Sequence, residues 1–124
     1  MKILVFGNPL VKEDSLPLRI LPKLREKFPS IEFKEFDTAE NLEEEGRDLV
    51  ILDAAKGIDD VILLDGIENI RLSSRYSMHD FDLAITLRLL KKMDVIDSVK
   101  IIAVPADYEE KEAVEEIGRI ISHL

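Results

Sequence analysis

Cysteine is absent from all 124 residues, which excludes disulfides, zinc–thiolate sites, iron–sulfur clusters and cysteine nucleophiles together. Any metal this chain binds is therefore held by oxygen and imidazole. Positive charge is scarce as well: 17 Lys and Arg stand against 26 Asp and Glu, for a formal net charge of -9. Nonspecific binding to nucleic acid or anionic lipid depends on positive charge meeting phosphate, so neither is an expected partner. Long apolar runs are missing too. No stretch approaches the roughly 20 residues that span a bilayer, and "KILVF" near the start is too short, and too soon followed by turn residues, for a signal peptide. No membrane insertion and a cytoplasmic location are expected.

Several catalytic templates are lacking. There is no GxxxxGK[ST] for a phosphate-cradling loop, and no GxGxxG follows the first apolar run. Neither GxSxG nor His-Glu-x-x-His occurs. Ser73, Ser74 and Ser77 lie near His79 in the chain, but no nucleophile elbow accompanies them to support a Ser–His hydrolase.

What is present describes an ordinary globular chain of one domain spanning residues 1–124, 46% hydrophobic and 35% charged. "ILVFG" (3–7), "DLVILDA" (48–54) and "VKIIAVP" (99–105) are unbroken apolar runs bounded by polar residues, the pattern of strands covered on both faces. "IEFKEF" (31–36) alternates, as an edge strand with one wet face does. "VILLDG" and "IENIRL" (61–72) predict two strands around Asp65-Gly66, a turn pair that accepts positive φ. Helices are predicted over 16–28, where Pro22 kinks or delays the regular part, over 77–93, with Ser77 or Asp80 as cap, and in the final "DYEEKEAVEEIGRIISHL". The acidic "TAENLEEEGRD" (38–48) reads as a solvated short helix or loop. This alternation predicts an α/β fold: a three-layer α/β/α sandwich around a mostly parallel, mixed sheet of about five strands.

In such sheets ligands gather outside the carboxyl ends of the strands. Three segments deliver chemistry there: Glu13 and Asp14 after the first strand, Asp53 at the end of "LVILD", and His79 where a helix is predicted to begin. Two carboxylates and an imidazole on three loops suit a divalent cation with coordination positions left open. Adjacent side chains do not both point readily into one site, so one of Glu13 and Asp14 is a ligand and the other a supporting acid. Each residue also has a plain structural role open to it. Asp53 can accept backbone N–H bonds, Glu13-Asp14 can be a solvated pair at a helix entrance, and His79 can be a cap-region histidine. His123 near the chain end, and Asp65, Asp80 and Asp82 at turns or caps, suggest nothing more.

"GNPLVKED" after the first strand, "LVILDA" in mid-chain and "SMHDFDLAITLRLL" further on together resemble the hydrogenase maturation endopeptidases, which process nickel–iron hydrogenase large subunits. The resemblance implies that Asp14, Asp53 and His79 form the metal-binding and catalytic trio. It further implies that they recognise nickel already inserted in the precursor of a hydrogenase large subunit, before a C-terminal peptide is removed. Glu13 would then be a neighbouring acid that either supports a ligand or positions water. The chain departs from the family pattern at Val5, where Gly is usual, and at Ser15, where Gly usually follows the acids. A monomeric enzyme is expected; the alternative is a non-catalytic module that senses metal or docks a partner on the same fold.

Overall fold

The computed structural model describes residues 1–7, 10, 15–36, 41–66, 77, 78 and 81–124. The three unbroken apolar runs form the middle of a sheet, as their two-sided hydrophobicity requires. They are β1 (Lys2–Phe6), β3 (Asp48–Lys56) and β6 (Ser98–Pro105), and the alternating β2 (Glu32–Phe36) lies outside them. The spatial order is β2-β1-β3-β6-β4, with β4 spanning Ile62–Asp65 and the two-residue β5 (Ser77–Met78) pairing with β3 off this path. β1 runs parallel to β2 and β3, and β3 parallel to β6, while β4 is antiparallel to β6 and β5 antiparallel to β3. The sheet is thus mixed, as expected. Gly66, directly after β4, takes φ 95°, the conformation foreseen for that turn.

Period-two alternation sends neighbouring residues of each strand to opposite faces. Ile3, Val5, Leu52, Ile102 and Val104 meet Leu16 of α1 (Leu16–Arg19), Leu21 and Leu24 of α2 (Leu21–Lys27), and Ile117 and Ile121 of α4 (Glu110–Ser122). Leu4, Phe6, Ile51 and Ile101 meet instead Leu42, and Leu87 and Leu90 of α3 (Phe81–Lys92). Helices therefore cover both faces. Each fully buried Leu or Ile contributes about 1.5–3 kcal/mol over an exposed one, so these two clusters are the main source of stability.

Pro22 acts as its position suggests. It stands in the first turn of α2, where its missing N–H leaves no hydrogen bond unmade, and Ile20 forms the joint with α1. α4 begins at the acidic stretch, with the Glu109 carboxylate accepting the N–H groups of Lys111 (3.0 Å) and Glu112 (2.9 Å).

Two expectations need correction. The helix predicted from residue 77 starts at Phe81, and Ser77 and Met78 are a strand, so Ser77 is not a helix cap. The reason is tertiary: β3 outruns β1 at its carboxyl end, and β5 pairs with the Ala55 and Lys56 backbone that β1 leaves free. The acidic stretch is also more than surface. It holds a short 3-10 helix, Leu42–Glu45, in which Leu42 is fully buried and Glu45 pairs with two lysines. Residues 67–76, including the whole of the second strand foreseen after Gly66, lie outside the described residues, as does Asp80.

Candidate functional site

The direction of the chain reverses between β1 and β3. From β1 it moves outward to β2, then returns across β1 to place β3 on the other side. The crevice outside the carboxyl ends of these two strands is the topological switch point, where ligands bind in open α/β sheets.

Asp53 lies near the carboxyl end of β3, the strand on one side of that crevice. It is opposite Ala103 of β6, and its neighbour Leu52 is opposite Val5 of β1. Asp53 is only 1% exposed, and among the described residues it is the one ionisable residue in the buried set, which otherwise holds apolar side chains and Ser15. Removing a carboxylate from water costs several kcal/mol before compensation, so its presence here calls for a role. Part of the compensation comes from within the strand, where Oδ1 accepts the backbone N–H of Ala54 at 2.9 Å. This is the structural bond foreseen for Asp53. The surrounding residues of the same strands, Ala54, Ala55 and Ala103, are small and buried, so nothing bulky from them fills the space at this level.

β5 borders the same crevice. β6 occupies one side of β3 as far as Ala55, opposite Pro105, so Met78, also opposite Ala55, lies on the other side, the one β1 has vacated. The chain thus reaches residue 78 two positions along the strand from Asp53. His79, the next residue, and Glu13 and Asp14 lie outside the described residues. Of the expected trio, only Asp53 is described.

Ser15, directly after the acid pair, is described. It is 7% exposed and precedes α1 with φ -98°. That angle is open to any residue, so serine stands where the family pattern has glycine without backbone strain at this position. Val5 is likewise accommodated, fully buried in the cluster with Leu16 and Ile20. The Ser15 Oγ accepts from Arg19 Nε at 3.2 Å, and Arg19 Nη1 donates to Glu110 Oε2 at 3.0 Å. This chain of contacts joins the start of α1 to the first turn of α4, and the sequence pattern gave no sign of it.

A further side-chain contact lies at this end of the sheet. The Tyr108 hydroxyl donates to Glu116 Oε2 at 2.7 Å, and this bond, with the surrounding acids, pushes the phenol up to about 12. His123 lies away from it, with Nδ1 2.7 Å from the Arg119 carbonyl at the end of α4. Among the described residues, no group of three or more His, Asp or Glu is placed to hold a metal ion.

No family model and no curated protein matches the chain. Among solved structures, the chain is similar to an uncharacterized protein from Wolinella succinogenes. The two share 20% identity over 98% of this chain and 94% of the other, with a TM-score of 0.60. At that identity the likeness concerns the fold.

Proposed function

We propose that this protein is a maturation endopeptidase that removes a C-terminal peptide from the nickel-loaded precursor of a nickel–iron hydrogenase large subunit. The observation that carries the reading is the burial of Asp53 beside the switch point of the sheet, at the place in the chain where the resembled family has a metal-binding aspartate. The approach of β5 to the same crevice supports it, because His79 follows Met78 directly.

In this reading nickel arrives as part of the substrate. Asp14 and Asp53 supply carboxylate oxygens and His79 an imidazole nitrogen, donors that leave room for the thiolates already holding the ion in the precursor. The burial of Asp53 keeps water from competing for its oxygens and strengthens its attraction for a cation. Peptide hydrolysis then adds water across one bond, leaving a new carboxyl terminus on the subunit and a free amine on the released peptide. Glu13 is assigned to hold that water. The requirement for bound nickel makes correct metal insertion the condition for cleavage.

The test is intact-mass analysis of a nickel-loaded large-subunit precursor incubated with the protein or with Asp14→Asn. Loss of a C-terminal peptide with the wild type alone is the expected result. An unchanged mass in both, with nickel loading verified, would favour the metal-sensing or partner-docking module instead.

A further inference from the structure

We propose that the cleft between the carboxyl ends of α2 and α4 binds the phosphate group of a small organic phosphate monoester. This open cleft measures about 390 Å³, within the range of about 300–1,000 Å³ usual for small-molecule sites and roomier than a bare oxyanion requires. Lys27 from the last turn of α2 lines it, together with Arg119 and His123 at the end of α4, and Glu115 is its one acid among the described residues. No acid among the described residues pairs with Lys27 or Arg119, although Glu115 stands one turn before Arg119 on α4. In a chain of net charge -9, cations are thus in excess at one place. Lys27 ends α2 shortly before β2 begins, so the cleft lies toward the amino end of the sheet, and a ligand there would not touch the proposed nickel site at Asp53.

The last carbonyls of a helix ordinarily carry unsatisfied partial negative charge, which repels an anion. At the end of α4 all four from Gly118 to Ile121 are covered. The Ser122 hydroxyl donates to the Gly118 carbonyl (2.9 Å), His123 Nδ1 to that of Arg119 (2.7 Å), and the backbone N–H groups of His123 and Leu124 to those of Ile120 (3.0 Å) and Ile121 (3.2 Å). A carbonyl only accepts, so Nδ1 carries the ring hydrogen there, and the imidazole keeps Nε2 for a ligand. Gly118 forms the floor: a Cβ there would stand 2.9 Å from Lys27 Nζ and 3.5 Å from Phe28 Cζ, so its absence lets the ammonium and the ring edge lie against α4. The Arg119 fork can meet two oxygens at once while Lys27, from the other helix, supplies a point charge. That division suits a tetrahedral group with three free oxygens better than a planar carboxylate. The Phe28 ring edge and the Lys27 stem offer apolar contact to the organic part.

Phenyl phosphate titrated into the protein at constant ionic strength should shift the Gly118 amide and His123 ring signals in NMR spectra to saturation. Lys27→Gln and Arg119→Gln should each bind it about ten-fold more weakly, with the melting temperature unchanged because both side chains are exposed. Gly118→Ala should weaken binding as well, by displacing Lys27 Nζ. Benzoate, which presents a carboxylate on the same ring, should bind about ten-fold more weakly than phenyl phosphate. Equal affinity for the two would overturn the phosphate assignment. Shifts that never saturate, or wild-type affinity retained in both Lys27→Gln and Arg119→Gln, would overturn the site.

Discussion

The two ends of the sheet handle charge in opposite ways. At the amino end, acids and bases meet in closed pairs, Glu45 with its side chain largely buried and Arg47 with Asp97 at the surface. Glu45 accepts from Lys2 (2.7 Å) and Lys34 (2.8 Å), and Arg47 holds Asp97 through two hydrogen bonds (2.9 and 2.8 Å). These lysines hold the Glu45 carboxyl below its ordinary value, and Arg47 does the same for Asp97. Toward the carboxyl end, where Arg19 and Glu110 also pair at the surface, Asp53 is the one acid among the described residues that is buried. One end uses charge to fasten strands together. The other keeps a carboxylate where it is expensive, and natural proteins accept such costs mainly at sites of function.

The sharpest way to break this contrast is at the proposed ligands. His79→Ala should weaken nickel binding at least ten-fold and remove precursor trimming, as read by titration and intact mass; unchanged nickel binding would refute the site. Next in size, Ile51→Ala should cost about 2–5 kcal/mol by denaturant unfolding, because it opens a cavity under a fully buried side chain two residues from Asp53.

Acid should act on the amino end. Groups whose folded values lie below their unfolded ones contribute stability that is fully present above the unfolded value and is lost as pH falls through the folded one. Glu45, with an ordinary value of 4.5, and Asp97, with 3.8, are both depressed. Stability should therefore fall as pH drops below about 4.5, and Glu45→Gln should flatten the upper part of that fall without changing nickel affinity. An acid limb identical to wild type would show that the Glu45 pairs fasten nothing.

The smallest effect concerns neither end. A Cβ at Gly118 would approach Lys27 Nζ to 2.9 Å, and that flexible tip can move aside. Gly118→Ala should thus leave stability unchanged or raise it by up to about 1 kcal/mol through helix propensity, measured by thermal melting.

The central strands were legible because an apolar run needs cover on both sides, and the alternation of "IEFKEF" marked an edge for the opposite reason. Pro22 announced the joint at Ile20. β5 left no such mark, since two residues carry no periodicity and their pairing depends on how far β3 extends past β1. The double pairing of Glu45 was equally hidden, its partners lying 43 and 11 residues away. Asp53 was legible as an acid closing an apolar run. Its depth of burial, and the Ser15–Arg19–Glu110 chain, depend on contacts between distant segments and emerge only in three dimensions.

The most direct test of the contrast is Asp53→Asn, which keeps shape and an acceptor for the Ala54 N–H while removing the charge. The metal-free variant should melt at the same temperature as the wild type or higher, yet leave a nickel-loaded precursor untrimmed. A variant that melts lower and still trims at the wild-type rate would make Asp53 a structural residue and contradict the account.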